Sequence, residues 1–454
     1  MKEFRTMRYH FKANKEEKKL LKFLCRISKN IYNCALYELR KQYFDKKSIC
    51  TYFELNKIVS NNINYHILNT YQSICTIRLA HSNMEKYIKY HNFDGTLNEK
   101  GIKFSEENDC ASFPKYKKKK ALMPLVTDQI RPIWYKRKKC IKLPLSNLTR
   151  TSKVFKQIFE DKLIDEFVKE SELKESFNIF FKIPKELYDK KIKQFRVIPN
   201  SRGDDYCVEF TYEILVEKPN REIRNSLSID LGISNLASCV DTSNNSFIID
   251  GKYLKSLNRF YNKKKALLQS LLPKEVYTSK RLRNLDIKRN NQIEDYLNKA
   301  ISTLLKKCHE HNIDEIIIGY NKGFKKYGIK NTKLKGKKKR KTNQNFIQIP
   351  ISRFKDKIIL KTKENGIYVR IINEAYTSKS SFYDNDPIKK DMYSGVRIKR
   401  GLYQTKEKMM VNADINAALN IYKKYIMKSN STDNKIDYLM SRGLTIPSRV
   451  IVAL

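Results

Sequence analysis

The stretch NSLSIDLGISNLASCV, residues 225–240, sets a single carboxylate, Asp230, among apolar and small residues. Its pattern predicts a buried strand over 226–231 and a second over 235–240. A charge inside such a strand costs free energy unless it is paired or binds a cation. Either Asp230 turns its side chain into the following Gly-Ile-Ser turn, or distant parts of the chain supply its partners.

Downstream, SFIID (246–250) reads as a third strand. Two long helical stretches, about 252–271 and 278–311, precede a strand in DEIIIGY (314–320). A basic loop, a helix over 346–366, a strand in IYVRIIN (367–373), an irregular segment and a helix from about 414 complete the order. Three strands in a meander, then helix, strand, helix, strand, helix, is the order of an RNase H-like α/β domain. In that fold, carboxylates from the first strand, the fourth strand and the last helix converge on two divalent cations. Cations about 4 Å apart clamp the attacking and leaving oxygens of a phosphodiester displacement, and carboxylate with water suits Mg2+.

Asp414, opening the apolar-periodic helix of VNADINAALNIYKK, is the second candidate ligand, although an acid there also serves as a simple cap. The third is displaced. The fourth strand presents Gly319 where an acid is expected, whereas Glu374 lies just past the end of the fifth. Adjacent strands lie about 4.8 Å apart, a gap that a Glu side chain can span, and Gly319 is expected to leave the space open. The other readings are Glu374 as a surface acid and the chain as a nuclease that has lost its activity.

The remainder of the chain is strongly basic. Across 454 residues, 93 Lys and Arg oppose 48 Asp and Glu, a formal charge of +45, which calls for a polyanionic partner. With 41 % hydrophobic residues the chain is a folded protein, long enough for two or three domains. No apolar run reaches the roughly 20 residues of a membrane span, and the opening MKEFRTMRYHFKANKEEKKLL is not expected to be a signal peptide. The nine cysteines contain no C-x-x-C, as suits free thiols in a reducing compartment, and none follows Cys308. In HEH (309–311) the histidines are two apart, so on a helix they do not face each other.

A short strand over the first dozen residues precedes a long helix whose stripe is Leu20, Leu24, Ile27, Ile31 and Cys34. A second helical stretch covers about 68–90. FPKYKKKKALMP (113–124) and IRPIWYKRKKCIKLPLS (130–146) then interleave basic and aromatic residues, which fits a groove that tracks phosphates and stacks bases. The candidate contacts there are Lys115, Lys117, Lys118, Lys119, Lys120, Trp134, Tyr135, Lys136, Arg137 and Lys138. An edge strand guarded by charges is the plainer reading. Residues 193–215 read as a hairpin turning at Asn200–Asp205. The run at 333–341 adds Lys337, Lys338, Lys339 and Arg340, which either touch a phosphate backbone or are disordered.

SIDLGISNLAS, YLKSLNRFYNKKKALLQSLL, TSKRLRNLDIKRNNQIEDYLNKA, IIIGYNKGFKK, NQNFIQIP, EAYTSKSSFYDNDPI, IKRGLYQT and VNADINAALNI, with KNIYNCALYELRKQYF and FPKYKKKK near the N-terminus, together resemble the TnpB family of RNA-guided nucleases from insertion sequences. GYNKG with EAYTSK is similar to the branch, shared with Fanzor proteins, whose RuvC-type glutamate has moved. The resemblance implies a metal triad of Asp230, Glu374 and Asp414 holding two Mg2+ ions. It also implies a wedge β-barrel (1–12 and 111–225) interrupted by a helical recognition lobe (13–110). A RuvC-like core (226–374), an insert (375–412), a last RuvC-like helix (413–426) and a C-terminal tail (427–454) would follow. Most members carry a four-cysteine zinc ribbon in the insert. Here KSSFYDNDPIKKDMYSGVRIKRGLYQT has no cysteine, so zinc is not expected, and Phe382, Tyr383, Tyr393 and Tyr403 are left to hold a hairpin. The implied partners are a guide RNA from the element's own transcript and double-stranded target DNA with a short flanking motif. The implied activity is RNA-guided DNA cleavage in a prokaryotic cytoplasm or a nucleus, with an inactive RNA-guided repressor as the alternative.

Overall fold

The computed structural model describes residues 2–46, 48–91, 112–146, 178–215, 223–321, 348–399, 401–429, 435–441 and 446–452. The chain divides into two compact units, Met1–Leu215 and Val216–Leu454.

In the first unit, β1 (Lys2–Phe11) is followed by α1 (Lys15–Lys46), α2 (Tyr52–Val59), α3 (Ile63–Ile67) and α4 (Thr70–His91). Leu24, Ile27, Ile31 and Leu39 form the buried stripe of α1, which packs against α4. α2 and α3 are too short for hydrophobic periodicity to predict. The start of α2 is fixed locally by a Thr51–Glu54 capping box. Next come β2 (Leu125–Thr127), β3 (Pro132–Tyr135), β4 (Lys138–Lys142), β5 (Phe180–Lys182), β6 (Ile192–Pro199) and β7 (Tyr206–Leu215). They form two sheets, ordered β1-β7-β6-β2 and β3-β4-β5. At the expected β6–β7 turn the Asn200 side chain accepts from the backbone N–H groups of Arg202, Gly203 and Asp204, and Gly203 takes φ +69°. Helices and sheets share one continuous core.

The second unit is built on β8 (Ser226–Leu231), β9 (Asn235–Asp241) and β10 (Ser246–Asp250). α5 (Lys252–Ser270), α6 (Lys280–Glu310), β11 (Glu315–Gly319), α7 (Ile351–Glu364) and β12 (Tyr368–Ile372) follow. The insert carries β13 (Val396–Lys399), β14 (Leu402–Gln404) and β15 (Met410–Asn412), after which come α8 (Ala413–Ser429), α9 (Lys435–Ser441) and β16 (Ser448–Val450). The main sheet is ordered β12-β11-β8-β9-β10-β16. β11 runs parallel to both β8 and β12, and β16 parallel to β10.

Strand alternation decides what faces the site. Leu227, Ile229 and Leu231 of β8 enter the core shared with α5–α7. Ser226, Ser228 and Asp230 therefore face the other side, where α8 packs over β8, β9 and β11. Small residues on that side let the helix approach closely.

The tail expectation needs correction. α8 runs on to Ser429, Leu439 of α9 joins the core beneath it, and residues 448–450 add a sixth strand to the sheet. The insert is a three-stranded antiparallel sheet rather than a hairpin. Phe382 and Tyr403 are fully buried in it, and buried Asp386 ties its loop by accepting from the Ser381 and Ser394 backbone N–H groups and the Ser394 hydroxyl.

Candidate active site and basic surfaces

Register places the acids. Asp230, next to last in β8, lies directly opposite Gly319, the last residue of β11, which in turn lies opposite Ile372 of β12. Glu374 follows two residues later. Asp414 stands in the first turn of α8, but Asn412 does the capping: its Oδ1 accepts from the N–H groups of Asp414 and Ile415 at 3.0 and 3.2 Å. The Asp414 carboxylate is thereby released from the cap role that its position also permitted. Its Oδ2 accepts from Asn235 Nδ2 at 2.6 Å and its Oδ1 from Arg397 Nη2 at 3.2 Å.

The Gly319 expectation was wrong in one respect. The space beside it is filled, not open: a Cβ there would meet Ile421 Cδ1 at 2.3 Å and the Glu374 Cβ at 3.3 Å. An acid at 319 would collide with the helix that carries Asp414, whereas Glu374 enters beside it.

Electrostatics ties the acids together. Burial pushes the Asp230 carboxyl up to about 8; the charges of Asp414 and then Glu374 push the same way, and Arg397 opposes them. Burial raises Glu374 to about 6, against a pull from the backbone of Asn321. Among the described residues no three His, Cys, Asp or Glu side chains stand at metal-ligand spacing. The three carboxylates are thus gathered within electrostatic reach without meeting at one point, and Arg397 is the counter-charge of Asp414. The donor set still fits a hard divalent cation. It consists of carboxylates, and Asp230, buried and facing the charges of two further acids, is held above its ordinary range, the condition that a cation relieves.

Three neighbours escaped sequence reading. Arg397 lies on β13, Asn235 opens β9, and Arg449 of β16 donates to Asn235 Oδ1 at 3.1 Å and to Asp250 Oδ1 at 2.5 Å. Two of them are arginines among 93 basic residues, and nothing in their local sequence distinguishes them.

The basic segments of the first unit are exposed. Asn33 of α1 pins Lys117 through two hydrogen bonds to its backbone, 2.9 and 3.0 Å, and the Arg40 guanidinium lies over the Phe113 and Tyr116 rings. The extended backbone is thereby tied to α1 while Lys115, Lys117, Lys118, Lys119 and Lys120 face solvent. Lys136 and Arg137, both at positive φ, form the two-residue turn between β3 and β4. Trp134 is 68 % exposed, Tyr135 stacks on Phe180 with centroids 4.0 Å apart, and Lys138 is exposed. Lys337, Lys338, Lys339 and Arg340 lie outside the described residues.

Comparison with known proteins bears on the second unit above all. A family profile described as "Probable transposase" (OrfB_IS605) matches residues 207–325, and one described as "Cas12f1-like, TNB domain" matches 352–421. The protein of a solved Cas12f1-sgRNA-target DNA complex superposes with a TM-score of 0.54 at 14 % identity, covering 90 % of this chain and 83 % of that one. At that identity the likeness is one of fold. A CRISPR-Cas12f ternary complex, also at 14 % identity and covering 90 % and 82 % of the two chains, gives 0.34, too low to bear on the fold. No curated protein matches. The first profile takes in Asp230 and Gly319 and the second Glu374 and Asp414, and with the shared fold they mark the chain as similar to TnpB/Cas12f-type proteins.

Proposed function

We propose that this protein is a guide-RNA-dependent DNA endonuclease of a transposable element, with Asp230, Glu374 and Asp414 as the ligands of two Mg2+ ions. One observation carries the reading: acids from the end of β12, beside Gly319, and from α8 lie close enough to the buried Asp230 of β8 for their charges to add to burial in raising its proton affinity. Bound divalent ions would supply an activated water and a clamp for the oxygens of the scissile phosphodiester. The protein's own share is positional. Asn235 holds one Asp414 oxygen, and Asn412 keeps the helix start from claiming that carboxylate. Arg397, now paired with Asp414, has a guanidinium suited to a phosphate oxygen once a cation takes over the acid.

The first unit, on this reading, supplies the wedge from its two sheets and the recognition lobe from α1–α4. They would hold guide RNA and the heteroduplex by shape and charge while base pairing chooses the sequence. The exposed lysines 115 and 117–120 and the Trp134–Lys138 hairpin are its phosphate-tracking and base-stacking elements. The insert is read as zinc-free, tied by Asp386 where relatives use cysteines. A protein acting on DNA in this way would work in a prokaryotic cytoplasm or a nucleus.

Gly319 favours a second reading, an RNA-guided binder that does not cut. Guided plasmid cleavage in Mg2+ separates the two. Cutting by the wild-type ribonucleoprotein and none by Glu374→Gln supports the nuclease. Binding of the guided target without cutting by either leaves the repressor. Strand joining by protein free of RNA would defeat both in favour of a transferase.

A further inference from the structure

Arg449 lies on the last described strand, in a region that sequence reading assigned to a tail. β16 pairs with β10 in parallel, with Arg449 opposite Ile248. Its Nη1 donates both to Asp250, at the end of β10, and to the side-chain oxygen of Asn235, at the start of β9. The same Asn235 amide donates from Nδ2 to Asp414.

This chain of contacts has a direction. A guanidinium only donates, so the oxygen of the Asn235 amide must face Arg449. The amide group then has its NH2 directed at Asp414, which as a carboxylate only accepts. Arg449 thus settles which way the amide is turned, and the amide settles which Asp414 oxygen is held. Without the guanidinium, the amide could flip and set its oxygen against the carboxylate. Asp250 anchors the guanidinium in turn and is itself fixed by the Lys252 backbone N–H at 2.8 Å.

We propose that Arg449 is a positioning residue for the candidate metal site: the C-terminal strand, through Asn235, presets the Asp414 carboxylate for a divalent cation. The inference rests on the nuclease reading above and extends it to a segment outside the residues that either family profile matches.

The test uses the full chain with its copurifying RNA and Mn2+ as the probe, titrated by calorimetry and by electron paramagnetic resonance, alongside the Mg2+ dependence of cleavage. Arg449→Met keeps the aliphatic stem and removes the donor. It should weaken Mn2+ binding about tenfold, in the range for residues that orient metal ligands. It should also raise the Mg2+ needed for half-maximal cutting by a similar factor, with affinity for guided target DNA unchanged. Asn235→Ala should do the same while leaving the backbone pairing of β16 in place. The double variant should be no worse than either single one, because both act through one contact to Asp414. Arg449→Lys, which keeps a donor cation, should restore most of the affinity. Wild-type Mn2+ affinity in Asn235→Ala and Arg449→Met, or additive losses in the double variant, would overturn the inference while leaving the nuclease reading intact. A wild-type complex that neither binds Mn2+ nor cuts would overturn both.

Discussion

At the start of β11, Glu315 is 1 % exposed, and three side chains meet its carboxylate: Arg370 at 3.1 Å, Tyr425 at 3.2 Å and Ser226 at 3.4 Å. At the other end of the same ladder, beside Gly319, no side chain among the described residues donates to the Asp230 carboxylate, which is buried and feels the charges of two more acids, opposed by Arg397. Both acids face α8, four residues apart along paired strands. One is complete within the fold. The other is left by the fold without such partners, and a buried acid of that kind calls for a proton or for a cation from outside.

Neutralising each acid by its amide should therefore give opposite results. Asp230→Asn is expected to lower guided cleavage at least ~1000-fold, about 4 kcal/mol of barrier, with target binding unchanged. Glu315→Gln should cut within a few-fold of wild type under conditions where it remains folded. Equal losses of cleavage in the two variants, measured on the same guided plasmid, would erase the distinction between the two ends of β11.

Stability should show the reverse contrast, with a pH dependence of known sign. The folded Asp230 carboxyl titrates near 8 against an ordinary 3.8. Between those values the fold holds a proton that the unfolded chain has released, so metal-free stability falls as pH rises through that window. Asp230→Asn lacks this loss. Its stability relative to wild type should be near parity at pH 4 and grow to a maximum above pH 8. The ceiling is roughly 5 kcal/mol, since the coupled acids share protons. Denaturation in EDTA at both pH values measures the difference, and saturating Mg2+ should shrink it. Stabilisation that does not vary with pH would mean that the amide acts by packing, not by removing a charge.

Glu315→Gln should instead destabilise by about 2 kcal/mol, the loss of charge-assisted bonds from Arg370 and Tyr425 at a buried oxygen pair. Arg370 is half exposed, so its guanidinium can return to water, which keeps the loss below that of a fully buried ion pair. Denaturant unfolding with hydrogen exchange at β11 would register the change. No loss would show that the structural acid is as dispensable to the fold as the amide exchange at 230.

The strand and helix order of the second unit was legible because each element is long or strongly alternating: 226–231, 246–250 and 315–319 are apolar runs bounded by turns, and α8 opens on a periodic pattern. Asp230 and Asp414 stood out as acids in apolar surroundings. Glu374 became a candidate through the logic of adjacent strands. What escaped depended on tertiary contact. Ile421 fills the space at Gly319 because α8 crosses that strand, a packing fact with no local signature. β16 is three residues long, and its pairing with β10 joins positions some 200 residues apart, so neither propensity nor period could announce it. Arg397 and Arg449 were lost in the general positive charge. Only the acids they face make them distinctive.

Asn412 offers the smallest and most local test of why Asp414 is turned toward Asp230 rather than into the cap of its own helix. An acid in the first turn of a helix ordinarily helps to cap it, and a carboxylate so used would be tied to backbone N–H groups as firmly as Glu315 is tied to its donors. Asn412 takes those N–H groups instead, leaving the Asp414 oxygens to Asn235 and Arg397. Asn412→Ala should cost about 1 kcal/mol of stability, speed hydrogen exchange in the first turn of α8, and lower cleavage several-fold by loosening the backbone beneath Asp414. Asn412→Ser, which still offers an acceptor, should recover most of both. Unchanged exchange in Asn412→Ala would mean that another group caps the helix, and Asp414 would then regain the plainer role that its sequence position allows.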